Sequence, residues 1–296
     1  MHYKNGIELL ELCRVHDMHI HEIALKNECI NSALEQDDIK EKMLEHFHIM
    51  ATSIKRGLDE KERNIKGFMI GGEAKKLKKY HENHRSVCGE TMSKAISYAL
   101  SVMEVNVSMG RIVACPTAGS CGVLPAVLLS VKEKFDLDEE DMIKGLFTSG
   151  AVGSIIGKNA SLSGAEGGCQ AEVGSASAMA AAAVVEILGG TPKQALHGSA
   201  IALKNLMGLI CDPVAGLVEA PCAKRNAIGT SNAMIAAEMA LAGIKSIIPF
   251  DEVVVAMGKV GRMLPVALRE TSEGGIATTP TGLRLKKKIF GQDKKR

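Results

Sequence analysis

Apolar positions Ile7, Leu10, Leu12 and Val15 recur at roughly helical spacing in a stretch otherwise dense in charge and histidine. That pattern predicts an amphipathic helical lead-in over residues 1–85. From about residue 86 to about residue 280, Gly, Ala, Ser and Met take over and helix punctuation becomes frequent. Asp138 opens an acidic first turn before the run Met142 to Ile156, and Thr191 precedes Pro192, a favoured first helical residue. Gly189 and Gly190 stop the helix before it, Gln170 to Leu188, whose Ala180 to Ala183 core predicts burial almost all round. Period-two alternation of β-branched residues is scarce: Ile112 to Ala114 and Val253 to Val255 are short, and the latter follows Asp251, a helix start. The expectation is an all-α fold, a compact helical domain rich in small residues, with its chemistry on the loops. The helical catalytic region spans residues 86–296 and the lead-in packs on it as one domain. Gly67, Gly71, Gly72 and a lysine run mark a loop or hinge over residues 65–85. His16 and His19 fall on one helix face with His21 nearby, which reads as a solvated face rather than a metal site.

Composition narrows the function classes. The chain has 296 residues, 36 Lys and Arg against 34 Asp and Glu, and 46% hydrophobic residues. A disordered chain needs low hydrophobicity and a large net charge, so this one folds. A formal charge of +2 argues against a general nucleic-acid binder, and the basic run Lys286 to Arg296 reads as a solvated tail. With 3% aromatic residues, 30 Gly and 15 Met, the core is built from small and flexible side chains. The start lacks a basic segment followed by an apolar run, which points to a cytoplasmic protein. The uncharged run Ile112 to Val131 is broken by Pro116, Gly119, Gly122 and Pro125, so no membrane span is expected. Eight cysteines in a reducing compartment are buried, metal-binding or reactive rather than paired in disulfides.

Three cysteines sit where a helix begins or a loop turns. Cys169 follows Gly167 and Gly168 and precedes a long helix, whose positive end lowers a thiol pKa. Cys211 is expected to end a helix before Asp212-Pro213, since the residue before proline is pushed out of helical geometry. Cys222 follows Pro221 and is trailed by Lys224 and Arg225, cations that favour a thiolate. All three therefore have a reason to be ionised. Their wide separations are unlike the compact C-x₂-C pairs of zinc ribbons and ordinary ferredoxins, so spacing alone favours reading them as buried small hydrophobes. Cys115 and Cys121 form a competing pair in an apolar setting, and Cys13, Cys29 and Cys88 read as structural.

The strings around these cysteines change the weighing: SGAEGGCQAEVGSASAMAAA at Ser163 to Ala182, CDPVAGLVEAPCAKRNAI at Cys211 to Ile228, and CPTAGSCGVLPAVLL at Cys115 to Leu129. Together with ETSEGG at Glu270 to Gly275 they resemble the iron-sulfur-dependent bacterial L-serine dehydratases, specifically the alpha chain of the two-subunit type. The resemblance runs over nearly the whole chain. It implies that Cys169, Cys211 and Cys222 hold a [4Fe-4S] cluster, while Cys115 stays structural. It implies β-elimination of water from L-serine, giving pyruvate and ammonia, with an open iron as Lewis acid on the hydroxyl. A base takes the Cα proton, and the aminoacrylate released tautomerises and hydrolyses. It also implies a beta chain as partner and a higher oligomer.

For substrate contacts, the loop Thr117, Ala118, Gly119, Ser120 is a candidate cradle for the carboxylate, because small residues expose backbone N–H groups. Asn159 and Ser161 are candidates for the amine or carboxylate, and Arg225 for a charged clamp. No residue reads as a convincing base. His197 lies in an apolar helix pattern, His81 and His84 lie in the lead-in, and the Ser-His-Thr string of the family's beta portion is missing here, so the site is expected to be shared between chains. The chain ends IFGQDKKR with no cysteine beyond Cys222, so a protein tail is not expected to cap the fourth iron. Two other readings stand beside this one: a pyridoxal-phosphate lyase with Lys158 as Schiff base and Gly164 to Gly168 as phosphate loop, and a non-catalytic metal-bearing scaffold subunit.

Overall fold

The structure, a computed structural model, describes residues 1–291. The described residues form thirteen α-helices. The first four are α1 (Gly6–His16), α2 (Ile20–Ser32), α3 (Gln36–Leu58) and α4 (Glu73–Asn83). Then come α5 (Glu90–Val107), α6 (Val123–Phe135), α7 (Glu139–Asn159), the single turn α8 (Gly164–Gly167) and α9 (Ser175–Ile187). The chain finishes with α10 (Pro192–Asn205), α11 (Cys222–Leu241), α12 (Phe250–Met263) and α13 (Pro280–Phe290). Among the described residues the only β feature is an isolated parallel bridge between Cys211 and Arg269, so the all-α expectation holds. No helix among them is long and apolar enough to cross a membrane.

Helix α9 lies at the centre, against α6, α7, α10 and α11. Ala180 to Ala183 are completely buried. Alanine loses no side-chain entropy on folding, and a helix surfaced with methyl groups lets four neighbours approach closely. The same economy operates where α3 crosses α5: a Cβ at Gly57 would stand 2.2 Å from Ser101 Oγ. One apolar cluster runs from Leu9 and Ile23 through Val127 and Val152 to Val254.

Buried or half-buried carboxylates from later in the chain seize helix starts in the first block. Asp251 accepts from the N–H groups of Gly6 and Ile7 at the start of α1, and Glu186 from those of Ile20 and His21 at the start of α2. Glu104 accepts from the N–H groups of Glu73 and Ala74 at the start of α4. Each satisfies donors that have no partner within their own helix and sits at its positive end.

Several expectations need correction. His16 ends α1 and His19 caps α2, with Asp17 in the left-handed region between them, so the two do not share a helix face. The expected hinge contains α4, because Ala74 and Leu77 pack against the second apolar cluster while the lysines face outward. Residues 253–255 lie inside α12, which starts at Phe250 after Pro249; Asp251 serves α1 instead. The long helix expected from Gln170 begins with a π turn, Gln170–Gly174. Lys286 to Phe290 belong to α13, and the rest of the expected tail, residues 292–296, lies outside the described residues.

The packing of α9 generates a stability prediction. Ala181→Leu should lower the unfolding free energy by about 1–3 kcal/mol through overpacking, whereas Lys79→Leu on exposed α4 should change it by less than about 0.5 kcal/mol. Denaturant unfolding of both variants checks the contrast.

Candidate active site

Cys169, Cys211 and Cys222 are buried, with relative exposures of 3%, 4% and 8%. Cys169 follows Gly168, whose φ of 77° is the left-handed conformation that glycine adopts without strain, and opens the π turn. The next residue ties this segment to the chain approaching Cys211: Gln170 N–H donates to Leu209 O, and Gln170 Oε1 accepts from Gly208 N–H. Cys211 itself lies in extended chain well past the end of α10. Its N–H donates to Leu268 O and its carbonyl accepts from Glu270 N–H, both at 2.8 Å. The expectation that Cys211 ends a helix is therefore wrong; α10 stops at Asn205, and Gly208 turns the chain away before Pro213 has any influence. Cys222 is the first residue of α11 and follows the cis Ala220-Pro221 bond.

Arg225, one turn after Cys222, joins the three segments. Its Nη1 donates to Ile210 O at 2.8 Å and its Nη2 to Asp212 Oδ1 at 2.7 Å, and its charge acts on the Cys169 sulfur. Asp212 Oδ2 in turn accepts from Ile276 N–H. Arg225 is therefore occupied by the scaffold, not free to clamp substrate as expected.

The electrostatics single out one thiolate. A hydrogen bond from Cys211 and the charge of Arg225 hold the Cys169 thiol below its ordinary value in spite of burial. Cys211, which donates that bond beside the Cys169 charge, is pushed up. Burial, with the Cys169 and Glu172 charges, raises Cys222 to about 12. The expectation that all three are poised to ionise is corrected to one. Lys224 does not help Cys222, because its ammonium pairs with Glu73. Burial lifts Cys115 to about 12 and Cys121 well above its ordinary value, as fits packing residues. Cys88, read as structural, is exposed.

A cleft of about 430 Å³ has a lining that includes Thr117, Ser161, Ser163, Gly164, Glu172 and Glu270; no cysteine lines it, but the charges of Glu172 and Glu270 act on the thiols. Thr117 Oγ1 donates to Glu172 Oε1 at 2.7 Å. Burial raises the Glu172 carboxyl against that hydrogen bond, and the charge of Glu270 adds to the rise. Glu270 takes a φ of 65° at the start of the loop that is bridged to Cys211. An adjoining cavity of about 310 Å³ shares Ala160, Ser161 and Glu166 with the cleft, and its lining also includes Arg262 and Arg269.

Of the expected substrate residues, Thr117 and Ser161 line the cleft, and Ser161 Oγ donates to Glu166. Gly119 backs onto it, with its Cβ position 3.0 Å from Glu172 Oε1. Ser120 is fully buried and is used within its own turn, and Asn159 donates to Lys4 O and Ile155 O away from the cleft. Lys158 is exposed, with its ammonium over the Tyr3 ring, so nothing encloses a Schiff base there. Sequence reasoning missed Glu172. Its signal was a lone charge, with no other between Cys169 and Glu186, in a helix otherwise made of small apolar residues.

Comparison with known proteins agrees with this arrangement. The family described as Serine dehydratase alpha chain matches residues 15–277. The chain is 50% identical over 289 residues to the probable L-serine dehydratase, alpha chain, of Bacillus subtilis (strain 168), covering 98% of this chain and 96% of that protein. It is 46% identical over 280 residues to the L-serine dehydratase, alpha chain, of Peptoniphilus asaccharolyticus, covering 95% of this chain and 96% of that one. Against the L-serine dehydratase of Streptomyces coelicolor it is 36% identical over 283 residues, which is 93% of this chain but 60% of that protein. The chain belongs to the L-serine dehydratase alpha chains of the two-subunit type.

The Arg225 geometry yields a titration prediction. In metal-free protein, Arg225→Gln should move the most acidic buried thiol upward, because the cation that favours the Cys169 thiolate is gone. Thiolate ultraviolet absorbance followed against pH reads the shift, and an unchanged curve would contradict the assignment.

Proposed function

We propose that this chain is the catalytic alpha subunit of an L-serine dehydratase, removing water from L-serine to give pyruvate and ammonia, with Cys169, Cys211 and Cys222 as ligands of a [4Fe-4S] cluster. The observation that carries the reading is that three buried thiols from separate segments act on one another electrostatically, with Arg225 tying the Cys211 segment to the helix that Cys222 begins. The donor set suits the group: it is all thiol, and soft thiolate donors select iron–sulfur clusters. Among the described residues no three His, Cys, Asp or Glu side chains converge closely enough to hold a single ion. A cluster asks for less convergence, since each ligand binds a different iron. When bound, the cluster supplies a Lewis acid toward the substrate hydroxyl.

The chain's own residues do the rest of the holding. Arg225 and Asp212 fix the Cys169 and Cys211 segments relative to α11. Ile70, Ala74, Cys121 and Ala223 pack with Cys222 and keep water from that side. Thr117, Ser161 and Glu172 line the space in which substrate lies. The titratable side chains on that lining are the carboxylates Glu166, Glu172 and Glu270. A beta chain is assigned the Cα proton acceptor, and the longer Streptomyces coelicolor protein, of which this chain matches 60%, supports a partner completing the enzyme.

Replacing Cys169, Cys211 or Cys222 by Ser should each abolish cluster absorbance and serine turnover, whereas Cys13→Ser and Cys29→Ser should spare both. A Cys211→Ser protein, handled without oxygen, that keeps its full iron content and wild-type turnover would remove the ligand assignment. The alpha chain alone should bind a cluster yet dehydrate serine poorly, with turnover restored by the beta chain. Cluster binding without turnover even with the partner present would favour a scaffold subunit instead.

A further inference from the structure

Three carboxylates line the cleft; Glu166 accepts from Ser161, and among the described residues neither Glu172 nor Glu270 forms an ion pair with a cation. The charged neighbour that acts on Glu172 is Glu270, a like charge, and the one hydrogen bond that Glu172 accepts, from Thr117, serves Oε1 alone. Glu172 Oε2 and Glu270 Oε2 both approach the bare Cα face of Gly164. A Cβ added there would stand 2.6 Å from Glu172 Oε2 and 3.2 Å from Glu270 Oε2, so both oxygens border the same small space. A positively charged donor in that space relieves the repulsion and reaches acceptors on two sides at ordinary hydrogen-bond lengths.

We infer that Glu172 is the substrate-binding residue that receives the α-ammonium group of the amino acid, with Glu270 as the second wall of that subsite. The inference rests on the reading of the cleft as the serine site. Three further observations favour it. The π turn that follows Cys169 carries Glu172, placing an ammonium subsite directly beside the thiols. Thr117 already spends its hydroxyl proton on Glu172 Oε1, which leaves Oε2 as the acceptor for an ammonium group. The adjoining cavity includes Arg262 and Arg269 in its lining, and Arg269 Nε is buried without a partner, so cations for a substrate carboxylate stand next to the carboxylates of the cleft.

The test uses the cluster-loaded enzyme with its beta chain. Glu172→Gln keeps an acceptor for Thr117 and removes the charge. It should raise KM for L-serine about ten- to a hundred-fold, the equivalent of one charge-assisted hydrogen bond, with kcat changed far less. Inhibition by L-alanine and by propionate isolates the ammonium: the wild-type enzyme should prefer L-alanine, and the variant should lose that preference. Gly164→Ala, whose methyl presses on Glu172 Oε2 while every charge is kept, should raise KM in the same way and decides the matter if Glu172→Gln loses its iron. An unchanged KM and inhibitor preference in cluster-replete variants would overturn the assignment. A fall in kcat at constant KM would overturn it too, and would make Glu172 a proton carrier. Failure of the wild-type two-chain enzyme to dehydrate serine would strike the underlying reading instead, so the two failures are distinguishable.

Discussion

The guanidinium of Arg225 is the contact on which the rest of the site depends. A planar fork can serve several acceptors at once, and here it reaches a backbone carbonyl and a carboxylate on either side of Cys211, from a helix that begins with Cys222, while its charge favours the Cys169 thiolate. Lysine, a point charge on a flexible stem, lacks that reach. Through Asp212 the same tie extends to Ile276, and through the backbone of Cys211 to Leu268 and Glu270. One wall of the cleft is thus fixed by the group that gathers the thiols. A cation buried among sulfurs also offsets negative charge that the low-dielectric surroundings would otherwise disfavour.

A second set of charges brings the first block to this site. Asp251, Glu186 and Glu104 hold the starts of α1, α2 and α4, and Glu219 accepts from the N–H groups of Phe68, Met69 and Ile70. Glu219 stands three residues before Cys222, so the segment that it captures lies against the neighbourhood of a cysteine. Bonds of this kind are stronger than neutral ones, and a helix start offers several unpaired donors together. The sequence distance between the two blocks therefore says little about their distance in space.

Much of the fold was readable from local rules, because local physics decides it. The scarcity of alternating β-branched residues excluded a sheet, and Asp138, Thr191 and Pro192 start their helices as their side chains dictate. The three cysteines were found by the strings around them, which carry more information than their spacing. Thr117 and Ser161 do line the cleft, but other assignments that turned on where a side chain points after folding failed. Asn159, Ser120 and Arg225 have the polar groups a substrate needs, but backbone and side-chain partners reach them first. The π turn was invisible to a reading at 3.6 residues per turn, and with it the direction of Glu172.

That turn has a meaning for how such a chain varies. A π turn equals an α-helix with one residue too many, and one residue of α-helix corresponds to about 100° of rotation. Deleting a single residue between 170 and 174 would restore a regular helix, and α9, held on every side by small groups, would keep its place in the core. The rotation would fall instead on the few positions next to Cys169, carrying a side chain out of the cleft or the sulfur away from Arg225. Packing and chemistry are thus separately adjustable at this joint, where the length of one turn can retune the site while the bundle stays as it is.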